Sequence, residues 1–271
     1  MNIRTHALIV FFVSSANLFC THQATARSSL TQKAPEAKTA PAPSPASAQK
    51  DEVLNNSWYT MQAGSTPWGY LHEVIEKKGN RYYYRYAMTK VEGKNAYQET
   101  IGAIAEEDLT PVAFNLVKAG VGATEVIDGT YTKSASGGTM RMKISGARSA
   151  EMPLFLSKQT ILDVFVPVWM KHNWSKLKPN ARGQIRTLGE DPHQGRFLVR
   201  TMNYKVIGND SENQCLEIHF ETQDFSANWC MTAQGALVRL TTGNHRVQRV
   251  ESEAKAKKFL SGRLPKDTDQ Q

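Results

Sequence analysis

Cysteine is scarce in this chain. There are three in 271 residues, and Cys20 sits inside the N-terminal apolar stretch, so only Cys215 and Cys230 remain beyond it. No Cys-x-x-Cys or His-x-x-x-His spacing occurs, which removes the usual frameworks for zinc and for a thioredoxin-like redox pair. The histidines after the N-terminal stretch are His72, His172, His193, His219 and His245, and none is spaced from another as metal ligands on a helix would be. Gly-x-Ser-x-Gly, P-loop and Rossmann fingerprints are also missing. Beyond the N-terminus no apolar run approaches the roughly 20 residues of a spanning helix. Lys and Arg are scattered rather than gathered into an arm, so the net charge of +8 argues for no nucleic-acid partner. It predicts at most a generic attraction to anionic surfaces, and so at most peripheral membrane association.

What is present begins with an export signal. A short basic "MNIRTH" precedes the apolar "ALIVFFVSSANLF", and Ala24-Thr25-Ala26 supplies the small-x-small pattern cleaved after Ala26. Cleavage there predicts a periplasmic or secreted protein of 271 − 26 = 245 residues and removes Cys20. The alternative is a lipoprotein anchored through Cys20, against which stands the bulky Phe19 just before it. Residues 27–50, "RSSLTQKAPEAKTAPAPSPASAQK", are dominated by Ala, Pro, Ser and Lys, and read as a disordered linker. A domain over 51–262 and a short disordered tail, 263–271, complete the expected organisation.

Within the domain, apolar residues alternate with period two, and Gly-rich turns recur every 10–13 residues. "GN" at 79–80 and "GK" at 93–94 read as tight hairpin turns, and "GG" at 137–138 as a third. Between the first two, Tyr82, Tyr84, Tyr86 and Met88 share one strand face while Arg81, Tyr83 and Arg85 share the other. The rhythm breaks at "PLFLSKQTILDVFVPVWMKHNW" (153–174). Ile161, Phe165 and Trp169 recur every four residues there, predicting a helix over 157–173 with Ser157 as its N-cap and a kink at Pro167. With only Lys158 and Lys171 as basic residues, it reads as a core plug rather than a membrane-surface helix. Strands then resume to Val250, and "ESEAKAKKFL" (251–260) reads as a short basic helix.

The segment "CLEIHFETQDFSANWC" tests this reading. If 214–222 and 225–233 form a hairpin with a two- or four-residue loop, His219 faces Ser226, Glu217 faces Asn228 and Cys215 faces Cys230. Directly opposed residues bring their Cβ atoms about 4.5–5.5 Å apart, close to disulfide distance. In an exported protein two such cysteines are expected to pair. Among polar residues, "TLGEDPHQGR" (187–196) crowds Glu190, Asp191, His193 and Arg196 into what reads as one solvated loop. It is the best polar site candidate in the chain, and a turn rich in turn formers is the plainer account of it.

"WYTMQAGSTPWGYLHE", through Trp58, Tyr59, Gly64, Gly69 and Tyr70, resembles the opening of exported bacterial β-domains of unknown function. "LKPNARGQIRTL", "WCMTAQGALVRL" and "RVESEAKA" resemble their later strands and closing helix. Some of these families flank transglutaminase-like domains, and they look like the curved half-barrels of lipoprotein-carrier proteins. The usual acidic residue before Gly235 is replaced by Ala233-Gln234. The resemblance implies no catalytic residue.

The expected fold is mainly β, a single strongly curved antiparallel sheet, or incomplete barrel, packed around one kinked helix. Tyr82, Tyr84, Tyr86, Phe114, Phe165, Trp169 and Trp229 are its candidate ligand wall. The expected function is a non-catalytic envelope protein that binds an apolar ligand or a protein partner on the concave face, with no cofactor and no metal. The other readings are an envelope scaffold, or adaptor, for cell-wall or outer-membrane machinery, and a hydrolase built on the 187–196 loop. Ligand identity and oligomeric state are not encoded in any recognisable motif.

Overall fold

Alternating burial sets the elements. A strand that is apolar on one face and polar on the other pairs laterally and buries one side only, and most of this chain carries that pattern. The computed structural model describes residues 51–120, 123–146, 149–191 and 196–263. The signal, the linker, His193 and most of the tail lie outside them.

The first half is an eight-strand meander: β1 (Glu52–Ala63), β2 (Thr66–Lys78), β3 (Arg81–Glu92), β4 (Asn95–Glu106), β5 (Pro111–Gly120), β6 (Ala123–Ser134), β7 (Gly137–Ser145) and β8 (Ala150–Ser157). A two-residue strand β9 (Ile161–Leu162) leads through a 3-10 turn into α1 (Val166–Asn173). A second meander follows with β10 (Arg182–Asp191), β11 (Arg196–Asp210), β12 (Cys215–Glu221), β13 (Ser226–Met231), β14 (Leu237–Thr242) and β15 (His245–Val250), before α2 (Glu253–Leu260). β1 pairs with β15, so the two meanders form one open sheet of 15 strands. Its order is β8-β7-β6-β5-β4-β3-β2-β1-β15-β14-β13-β12-β11-β10-β9. Every neighbouring pair is antiparallel except β9 and β10.

The turns at 79–80 and 93–94 fall where expected, between β2, β3 and β4. The third does not. Ala135-Ser136 makes the turn, and Gly137 and Gly138 begin β7. They are needed for close approach: a Cβ on Gly137, at φ +150°, would lie 2.1 Å from the Leu156 carbonyl oxygen, and one on Gly138 would enter the Tyr131 ring.

The expected helix over 157–173 is also corrected. Residues 150–157 continue the sheet as its edge strand, where Pro153 costs no ladder bond to an outer neighbour. Ser157 ends β8 instead of capping a helix, and α1 starts only at Val166. Pro167 occupies its first turn, where a missing N–H costs nothing, so it opens the helix and does not kink it. With α2 there are two short helices among the described residues.

The shorter element is largely buried. Phe165, Val166, Val168 and Met170 are buried in the core with Tyr84, Leu71, Met202 and Ile218 from both meanders. At about 1.5–3 kcal/mol for each large apolar side chain removed from water, this layer is a major part of the fold's stability. Two facts relate the ends of the strand order. Three residues, 158–160, connect β8 to β9. On facing strands, Phe114 of β5 stacks on Phe197 of β11, with ring centroids 4.8 Å apart.

Candidate functional site

The inner face of β2 reads Leu71, Glu73, Ile75, an acid in an otherwise apolar stripe. Glu73 is buried, and both its oxygens are engaged. Tyr84 donates its hydroxyl to Oε1 at 2.9 Å, and Tyr59 donates to Oε2 at 3.3 Å. Asn55 donates its side-chain amide to Oε2 as well, and Ser57 in turn donates to the Asn55 carbonyl oxygen at 2.7 Å. β1, β2 and β3 place these groups because residues 55, 57 and 59 share the inward face of β1. Burial pushes the Glu73 carboxyl above its ordinary range, against the pull of its three donors. The same burial, with the Glu73 charge, drives Tyr59 and Tyr84 far upward, so both remain protonated donors.

A second polar group lies under α1. Arg200 of β11 donates to Asp163 Oδ2 at 3.0 Å and, at 3.4 Å, to the Glu190 backbone oxygen. Burial raises the Asp163 carboxyl to about 6 despite that guanidinium. Gly189 makes room: a Cβ there would sit 1.7 Å from Asp163 Oδ2. Alongside, Lys118 of β5 is ion-paired with Glu190. Glu99 stands opposite Lys118 across the β4–β5 ladder. Burial raises Glu99 to about 7, partly offset by Lys118 and Lys90.

Between the two groups lies an interior cavity of about 110 Å³. Apolar walls come from Leu71, Tyr86, Val166, Met202 and Val247, while Glu73 and the Asp163–Arg200 pair supply the polar members. Trp229 also lines it and carries an indole N–H that is shielded from solvent and has no hydrogen-bond partner among the described residues. Thr222, Phe225 and Arg200 line both this cavity and an adjoining hollow that includes Asp191 and Arg196.

Of the seven aromatic wall candidates, Tyr84, Tyr86 and Trp229 line the cavity. The rest are packed elsewhere. Tyr82 shares a 2.8 Å hydrogen bond with His172, Phe114 stacks on Phe197, Phe165 meets Tyr84 edge-on, and Trp169 meets Tyr204. The solvated-loop expectation for 187–196 is overturned for its described part. Residues 187–191 are strand, Glu190 and Asp191 are buried at 6% and 4% exposure, and Arg196 opens β11 across from Asp191. As consecutive strand residues the two point to opposite faces of β10, and both are covered.

Cys215 and Cys230 form a disulfide, with Cα atoms 5.4 Å apart. The pairing is right and the register is corrected. The loop holds four residues, Thr222 to Phe225, so Glu217 faces Cys230 and His219 faces Asn228. The bond therefore runs diagonally between same-face positions. Asp210 is close to both sulfurs, but sulfurs bonded to each other offer no thiolate to a metal. His72, His219 and His245 are engaged with Trp58, Asn228 and Trp68 respectively.

No family model matches the sequence, and no curated protein matches it. Among solved structures, the crystal structure of a DUF1089 family protein from Pseudomonas aeruginosa aligns at 11% identity with a TM-score of 0.40, covering 62% of this chain and 87% of that one.

Proposed function

We propose that this is a non-catalytic envelope protein that holds a small apolar ligand inside an incomplete barrel. The observation that carries the reading is the 110 Å³ cavity between the meanders, apolar over most of its wall. Curvature is supported by chain length. A flat sheet would set β8 and β9 about 65 Å apart, at roughly 4.8 Å per strand step, whereas the three residues joining them reach little more than about 14 Å. With α1 filling most of the interior, a long acyl chain has no room. A cavity of about 150 Å³ holds benzene, so at about 110 Å³ the ligand is no larger than a small ring or short branched chain. Glu73 fits a structural role better than a catalytic one, because it is buried and three side-chain donors engage both its oxygens. The disulfide is compatible with an oxidising compartment, and no described helix is long and apolar enough to cross a membrane. Kinship with exported bacterial β-domains belongs to the same reading.

Solvent extraction of the purified full chain followed by mass spectrometry should release one small apolar compound. Titration of stripped protein with benzene should shift the methyl resonances of Val166 and Met202 in NMR spectra. No released compound together with no benzene response would rule the cavity out as a ligand site. A second reading, the envelope scaffold, is favoured by Phe155, which stands 80% exposed on edge strand β8. Photo-crosslinking from position 155 in cells should then recover one dominant partner.

A further inference from the structure

The Glu73 network ends at Ser57, and Ser57 also lines a second, far larger depression of about 1050 Å³ that opens to solvent. It lies where β1 and β15 begin to pair, at Trp58 and Val250. The β11–β12 hairpin, the 232–234 turn, Trp174 and the start of α2 form its other walls.

Its chemistry differs from that of the interior cavity. Six side-chain amides line it: Asn56, Asn209, Asn213, Gln214, Gln234 and Gln248. An amide carries both donors and an acceptor, the complement of hydroxyl and acetamido groups. Part of that capacity is used within the protein, by Asn213 toward Asp210, Asn56 toward His72, and Gln248 toward Arg246 and the Val238 backbone oxygen. Trp58 and Trp174 add apolar ring surface suited to the C–H face of a sugar. Trp58 is held in place by parallel stacking on His72, with centroids 4.3 Å apart and planes 7° apart. Charge is balanced within the walls, where Asp210 and Glu251 stand against Arg249 and Lys255. Glu251 pairs with Lys255, and Arg239, outside the lining, lies 3.4 Å from Asp210. A polyanion therefore gains little there. An extended polypeptide would read a strand edge, yet Asn56 and Ser57 are the only β1 residues of the cleft outside the β15 pairing.

The hairpin wall is preorganised. Asn213 donates its backbone N–H to Asp210 Oδ1 at 3.1 Å and its side-chain amide to Oδ2 at 2.7 Å. The Cys215–Cys230 bridge fixes the base of the same wall, and Cys215 lines the cleft. A rigid wall lowers the ordering cost of binding. The volume is at the upper end of small-molecule sites, room for several linked rings.

We propose that this cleft binds a neutral, N-acetylated oligosaccharide, independently of the interior cavity. The test titrates the purified full chain with triacetylchitotriose, followed by backbone NMR. Saturable shifts at Gln214, Ala233 and Gln248 are expected, with a Kd on the order of 1 mM. Cellotriose, which has the rings without the acetamides, should bind at least about fivefold more weakly, the loss of roughly one hydrogen bond. Asn209→Ala with Gln234→Ala, both exposed positions, should weaken binding by a similar factor and leave Tm unchanged. Met202→Trp, which fills the interior cavity, should leave it intact, which separates the two sites. No saturable response up to about 10 mM trisaccharide, or one untouched by the double variant, would overturn the assignment. So would binding of an uncharged extended decapeptide in its place.

Discussion

At the scale of single residues, the buried acids make this protein's stability depend on pH in an unusual direction. Glu99 is raised to about 7 from its ordinary 4.5, mainly by burial, with Glu190 and Glu92 adding to the rise. Between those values the native state holds a proton that the unfolded chain has released. Stability therefore falls as pH rises from about 4.5 to 7, and the contribution is complete only on the acidic side. Asp163, raised to about 6, acts in the same sense. Burial lowers His72, His172 and His245 from 6.5, and they act in the opposite sense within this window. The Glu99 contribution is therefore read as a difference: in thermal melts, Tm of the native protein should fall relative to that of Glu99→Gln as pH rises from about 4.5 to 7. A Glu99→Gln profile that parallels the native one would mean the carboxyl titrates normally. Gly189 is the other residue with a sharp expectation. A methyl group there collides with the Asp163 carboxylate, so Gly189→Ala should destabilise by about 1–3 kcal/mol, measurable in urea. Neither effect was legible in the sequence. Glu73 in its apolar stripe was readable as an anomaly, because period-two alternation alone exposes it. Asp163 meets Arg200, and Lys118 beside Glu99 meets Glu190, only after strands far apart in the chain are brought together.

At the scale of elements, hairpin chemistry was the most legible part. The turns at 79–80 and 93–94 follow from two-residue Gly-containing loops, whose geometry is local. The cysteine hairpin was legible as a pairing but not in register, since two- and four-residue loops centred one residue apart place the same faces together. The 153–174 segment misled because Phe165 and Trp169 repeat at helical spacing in a stretch that also satisfies an edge strand. Only the neighbouring β7, absent from any local pattern, decides that 150–157 is strand. The disulfide closes a loop with a sequence separation of 15, for which chain entropy gives about 3 kcal/mol. Reduction should lower Tm accordingly. Cys215→Ser should leave a Cys230 thiol that is 1% exposed and therefore modified by thiol reagents only as fast as the hairpin opens. Immediate labelling in the folded state would contradict that burial.

At the scale of the whole molecule, the question is whether the two meanders are one cooperative unit or two sheets sharing the β1–β15 seam. The seam alone joins them by a single ladder of six residue pairs. Further coupling crosses the interior, through Phe114 on Phe197, Lys118 with Glu190, and α1 with the core residues of both halves, while α2 packs on β1 and β2. The Phe114–Phe197 pair measures this coupling most cleanly, because its rings are nearly parallel, at 19°, and belong to β5 and β11, which share no ladder. Each truncation to alanine should cost about 3–5 kcal/mol as a buried aromatic. The double-mutant cycle should return about 0.5–1.5 kcal/mol of coupling beyond additivity. Denaturant unfolding of both single variants should remain one transition with an unchanged m-value, since loss of either ring weakens the same interior. Additive costs, or a transition that splits in two, would mean that the halves unfold apart. The interior cavity would then have no closed wall to depend on.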